Sequence, residues 1–217
     1  MDRPSNSDLR ATATIRGDST DIQADDTSDT ETIRQTIIEK LYEAIKPTPK
    51  FYNRPEAFVL ECDLRQILDE ETVQLVLDRL HDECPEKPRI SLAEVLNETK
   101  GTGRLKILAT LIYIEKTQPL YEFVASDVWD DALPLSSSHV FFSRRKGAWP
   151  REFLGGQYLF LPQTIDFECM EHKELHGSIR MPFLNPLDEQ KAGAHGAVSK
   201  VRIHQDYQSW GRRTVST

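Results

Sequence analysis

Apolar residues recur every three or four positions along most of the first two thirds of the chain. Ile33, Ile37, Leu41 and Ile45 fall four apart, with Ile38 and Tyr42 beside them. That spacing makes one wide helical stripe. Ser28 and Glu31 have capping-box spacing, so a helix is expected to start near Glu31, and Pro47 and Pro49 to end it. Two further helices are expected across residues 63–80, capped by Asp63 and Asp69, with Val73, Val76, Leu77 and Leu80 facing inward. Ser91 and Glu94 repeat the capping-box spacing and open a short helix through Leu96; Gly101 and Gly103 then break the chain. The most apolar segment, residues 104–116, carries Leu105, Leu108, Leu111 and Ile112 on one face, widened by Ile107 and Ile114. A helix apolar on most sides belongs in the middle of its bundle. Pro119 suits the start of another helix, carrying Leu120, Phe123 and Val124. Trp129 and Leu133 fall in an acidic turn closed by Pro134.

After Pro134 the periodicity changes. Ser136, Ser137 and Ser138 read as a linker, residues 139–142 as a short strand-like run, and residues 157–161 as another strand. Trp149, Phe153, Tyr158 and Phe160 are scattered around Gly155 and Gly156 and are expected to cover one face of the helical unit. From Met181 the pattern becomes strand, glycine loop, strand. The fold class expected is therefore mainly α, a small helical bundle with a few short strands C-terminal to it and a disordered N-terminal tail. Four stretches are expected: a tail over 1–30, the bundle over 31–135, a strand-like or irregular linker over 136–180, and 181–217.

The tail is expected from composition. Residues 1–30 hold seven Asp, three Arg and only three large aliphatics, too little apolar surface to offset the entropy of ordering. The whole chain of 217 residues has 27 basic and 35 acidic residues, a net charge of -8. That balance disfavours nucleic acid and anionic membrane as partners, because both need clustered Lys and Arg. Three cysteines at long spacings are no disulfide framework, and a reducing compartment is expected, intracellular, cytoplasmic or nuclear. No apolar stretch is long enough to span a bilayer.

The segment with the most chemical content is residues 191–204. Gly193 and Gly196 are three apart, Val198 follows two later, and Val201 and Ile203 alternate beyond. This is most of G-x-G-x-x-G-x-V, the loop that folds over ATP phosphates in protein kinases. Glycines let the backbone approach the phosphates closely. Lys191 stands where the first glycine would be. Two glycines three apart equally suit a plain hairpin turn.

The stretch from Met181, Pro182 and Phe183 through Gly193, Gly196, Val198 and His204 resembles the entry to the catalytic domain in a family of fungal serine/threonine protein-kinase-like proteins. In that family a helical N-terminal region precedes the kinase domain. Residues 105–116, and residues 120–135 with the run Asp130, Asp131, Ala132, Leu133, Pro134, Leu135, are similar to that helical part. The resemblance covers residues 31–205 loosely and is specific in the loop and its second strand. It implies that 181–217 is an incomplete kinase N-lobe and that Gly193, Gly196 and Val198 form a cofactor-binding loop, with ATP and magnesium belonging to a full-length kinase. The chain carries no V-A-x-K, no H-R-D and no D-F-G. It is expected to be the front end of such a protein, or a truncated product, and to have no catalytic residues and no cofactor of its own.

Other candidates are bland. Cys169, His172 and His176 could share a helix face and a metal, but neither H-E-x-x-H nor its inverse is present and no fourth ligand is near. Arg144, Arg145 and Lys146 beside Trp149, extended by Arg151, form a basic cluster that also suits a solvated loop. The expected function is a non-catalytic accessory or regulatory region of a protein-kinase-like protein, contacting a protein partner or, within one chain, a kinase domain. The alternative is a winged-helix-like protein-interaction adaptor without nucleotide binding, residues 139–168 serving as the wing. An enzyme of another class is a distant third.

Overall fold

The four-spaced aliphatic stripe becomes α1 (Asp26–Ala44), with Ile37, Ile38 and Leu41 buried and Ile33 and Tyr42 exposed. The computed structural model describes residues 26–47, 57–97, 103–143, 145, 147–167, 177–184, 191–193, 196–198 and 202–209. Most of the expected acidic tail therefore lies outside the described residues. α1 begins two residues before Ser28, the cap expected from the sequence.

Next come α2 (Glu61–Ile67), α3 (Glu70–Glu83) and α4 (Leu92–Leu96). Asp69 caps α3 as expected, accepting from the Thr72 amide at 2.8 Å. Ser91 and Glu94 form the reciprocal capping box that starts α4. Asp63 does not cap α2. It lies inside the first turn and pairs with Lys46 Nζ at 3.1 Å, because the helix starts three residues earlier than its polar spacing suggests.

α5 (Leu105–Tyr113) is the centre, with Ile107, Leu108, Ala109 and Leu111 fully buried. α6 (Leu120–Ala125) follows Pro119, and α7 (Trp149–Gly156) has Pro150 in its first turn. One hydrophobic core runs without a break from Ile37 to Phe160, so α7 and its flanks cover the bundle as expected.

The two strands expected in that covering stretch are absent. Residues 139–143 form successive turns, with the amides of Phe142 and Ser143 donating to the carbonyls of His139 and Val140. Phe141 and Phe142 are both buried. Neighbours in a strand point to opposite faces, and only a turn sends both rings into one core. Gln157–Phe160 is a 3-10 turn whose four residues are all buried. The Gln157 side chain accepts from the Leu135 amide and donates to the Leu135 carbonyl, both at 2.8 Å, which meets the backbone needs a partner strand would otherwise serve.

The strands are short. β1 (Lys46–Pro47) pairs antiparallel with β2 (Ala57–Phe58). Towards the C-terminus, β4 (Phe183–Leu184) pairs antiparallel with β7 (Arg202–Ile203), and nested between them β5 (Lys191–Gly193) pairs with β6 (Gly196–Val198). β3 (Ile165–Asp166) runs parallel to β8 (Gln208–Ser209) and ties the end of this ladder back to the chain leaving the bundle. Among the described residues no helix is long and apolar enough to cross a membrane.

Candidate functional site

Gly193 and Gly196 face one another at the tip of the nested hairpin, and Val198 stands opposite Lys191 at its base. The two intervening residues, 194 and 195, lie outside the described residues. The three residues that the sequence singled out thus share one tight antiparallel loop. Lys191, where the first glycine of the kinase pattern would stand, takes part in the ladder.

What holds the β4–β7 pair to the bundle was not expected from the sequence. Tyr207 follows β7 in a 3-10 turn, is 7% exposed, and packs in a small apolar cluster with Phe58, Leu60 and half-buried Leu184. Its ring meets Phe58 edge-on at 6.3 Å. The first amide of α2, that of Glu61, donates to Tyr207 Oη at 3.0 Å. α2 has no side-chain cap of its own, so a tyrosine 146 residues away satisfies one of its orphan donors. Burial pushes the Tyr207 hydroxyl up to about 12, so it stays neutral across the physiological range.

Glu61 also carries charge to the joint. Its carboxylate pairs with Arg65 at 3.1 Å and with Lys106 of α5 at 3.3 Å. Those cations outweigh its burial and hold its carboxyl below the usual range. The Lys106 amide in turn donates to Asp130 Oδ2 at 2.8 Å, and the Ile107 amide to Asp130 Oδ1 at 3.0 Å. A continuous polar path therefore runs from the start of α5 through Lys106 and Glu61 to Tyr207 and the ladder.

At the start of α5 this path meets a buried arginine. Arg104 is 1% exposed. Its Nε donates to the Val128 carbonyl at 2.9 Å, and its guanidinium lies 3.3 Å over the Trp129 ring. Asp127 is 3.9 Å away and largely in solvent. Gly103 precedes it where a Cβ would come within 2.8 Å of the Asn97 carbonyl oxygen and 3.0 Å of that of Val95. The cluster fits a structural joint, since every polar atom named in it is spent on another part of the chain. The sequence placed Asp130 only in a turn and marked Gly103 only as a breaker.

The basic cluster does not survive as a binding surface centred on Arg145. That guanidinium stacks on Phe141 at 3.6 Å, pairs with Glu122, donates to the Phe141 carbonyl and reaches Ser126 Oγ at 3.1 Å. Arg144 and Lys146, with Cys169, His172 and His176, lie outside the described residues. Among the described residues no cluster of His, Cys, Asp and Glu could hold a metal ion. Comparison with protein-family models, with curated proteins and with solved structures gives no match.

Proposed function

We propose that the helical unit is a non-catalytic accessory and regulatory region of a protein-kinase-like protein, and that it positions Gly193, Gly196 and Val198 as a partial ATP-phosphate loop. One observation supports this most directly: Tyr207 packs on Leu184 of β4 and accepts the first amide of α2, and the glycine hairpin falls between β4 and β7 in the sequence. A partner bound to the bundle would then act on the loop through Lys106, Glu61 and Tyr207. The winged-helix reading has less support. Its wing was to be residues 139–168, and the described residues there form turns, α7, a 3-10 turn and β3, which pairs with β8 rather than with a neighbour in a hairpin.

A loop alone offers phosphates only backbone amides, and a nucleotide normally needs most of its surface buried. The chain should bind Mg-ATP no more tightly than about 1 mM and transfer no phosphate. Amide NMR during Mg-ATP titration tests the proposal. Shifts are expected at Gly193 and Gly196, and they should vanish in Gly196→Val. Shifts confined to the bundle, or unchanged in that variant, would overturn the proposal.

A further inference from the structure

Two tyrosines meet where α1 lies on α5, and their chemistry does not depend on the phosphate-loop proposal. α1 packs on α5, with Ile37, Ile38 and Leu41 in the core. Tyr42 lies on the outer side of this stripe and is 55% exposed. Its ring stands against that of Tyr113, the last residue of α5, with centroids 5.6 Å and planes 48° apart. Rings at that separation touch. Tyr113 is half-buried and meets Phe160 edge-on at 6.2 Å. Burial, and then the Tyr42 phenol, raise the Tyr113 hydroxyl above its usual range, so Tyr113 stays a neutral phenol at physiological pH. The other described tyrosines, Tyr121, Tyr158 and Tyr207, are buried. Tyr42 is therefore the described phenol most open to solvent, and it stands in contact with a second phenol.

A neutral phenol that meets a one-electron oxidant gives up an electron and its hydroxyl proton together. The phenoxyl radical carries spin on its ortho carbons and couples there when a second oxidised phenol is in contact. The geometry points to an oxidative cross-linking site: Tyr42 and Tyr113 join through an ortho–ortho carbon bond when a haem peroxidase spends hydrogen peroxide on them, stitching α1 to α5. One peroxide accepts two electrons and two protons, one of each from each ring, and leaves as two waters. As the carbon–carbon bond forms, each ortho carbon gives up its hydrogen, which restores the hydroxyl of that ring. Each ring is thus oxidised by one electron, and the peroxide oxygens are reduced. Tyr113 is braced by Phe160, whereas Tyr42 is open on one side and can turn its ortho carbon onto Tyr113. A lone surface tyrosine has to find its partner on another molecule; two phenols held in contact meet at an effective concentration far above that of dilute protein. The bond also closes a long loop in the unfolded chain, which stabilises the folded one.

Treatment of the dilute full chain with hydrogen peroxide and a haem peroxidase tests this. The product should stay monomeric and show the blue fluorescence of coupled phenols. Digestion should give one joined peptide pair, holding Tyr42 and Tyr113 and lighter than their sum by two hydrogen atoms. Its melting temperature should rise by about 5 °C or more. Tyr42→Phe and Tyr113→Phe each keep the ring and so the packing. Each should cut the intramolecular product at least about tenfold, because the remaining phenol must couple between molecules. Coupling only between molecules, a pair formed by other tyrosines, or oxygen added to Tyr42 with no bond to Tyr113 would overturn the inference. So would a yield unchanged in either variant, or a melt that the bond leaves where it was.

Discussion

α2 and α5 both start without a cap from their own neighbouring residues, and both borrow one from far along the chain. The two borrowed caps are built differently. At α5, Asp130 accepts two amides, its own amide donates to the Gly103 carbonyl at 3.0 Å, and Arg104 is buried beside it under Trp129. At α2, a single hydroxyl accepts a single amide. The first joint lies inside the main core, where losing one bond strands others. The second lies at the edge, in a cluster of three buried residues. One sits within the bundle; the other joins β4 and the turn after β7 to it through a smaller cluster.

The widest gap between the joints should open at Arg104. Arg104→Met keeps much of the stem but leaves the Val128 carbonyl unpaired and Trp129 uncovered. Stranding a buried carbonyl and losing the cation–π contact together cost about 2–4 kcal/mol, enough to shift urea unfolding of the whole bundle. A loss under about 1 kcal/mol would mean that the arginine is not integral to the core. Gly103→Ala tests the same joint through sterics. Its new Cβ would fall 2.8 and 3.0 Å from two backbone oxygens, neither of which can rotate away. The expected cost is about 1–3 kcal/mol, read as a lowered melting temperature. An unchanged melt would show that the 95–97 segment gives way freely.

Two local cap signals were legible, those of Asp63 and Ser28 misled, and the distant caps left no local signal. The Asp69 cap and the Ser91–Glu94 box act within three residues, and spacing alone finds them. Asp130 acts 23 and 24 residues away and Tyr207 acts 146 away, and nothing in their neighbours marks them as caps. The buried face of α5 was legible because seven of its nine residues are buried, so any helical phase gives nearly the same answer. The strands expected at 139–142 and 157–161 were misread for the opposite reason. Consecutive aromatic residues resemble a strand locally, and only the single core beneath them requires turns. The glycine hairpin was legible as a tight loop, whereas the mounting of the flanking β4–β7 pair involves Tyr207, a residue outside the pattern that drew attention to it.

Acid titration separates the joints further. Burial raises the Asp130 carboxyl to about 6, against the pull of the Lys106 and Ile107 amides. In the unfolded chain the same group titrates near 4, so between about pH 4 and 6 the folded state binds more protons. Stability from this group is therefore greatest at low pH and falls as pH rises to about 6, levelling off above about 7. Asp130→Asn removes that slope. The stability of wild type minus variant should drop by about 1–2 kcal/mol between pH 4 and 7. The opposing contributions of Glu61 and Asp69, both held below the usual range, are present in the two proteins and cancel. A flat difference would place Asp130 in water, and one that rises with pH would mean that the Lys106 and Ile107 amides outweigh its burial.

The smallest effect should come from Tyr207→Phe, and it is the one that tests whether the second joint is separable. The ring stays, so the packing with Phe58, Leu60 and Leu184 is kept and only the bond from the Glu61 amide is lost. A net hydrogen bond contributes about 1 kcal/mol. If the ladder is mounted independently, that loss acts on local opening and not on the bundle. Amides of β4, β7 and β8 should then exchange about fivefold faster, while those of α5 and the global melting temperature stay unchanged. Equal acceleration in α5 and the ladder would make bundle and ladder one cooperative unit, and a partner on the helices could no longer release the hairpin alone. No acceleration anywhere would leave the apolar cluster as the whole of the mounting, with the hydroxyl incidental.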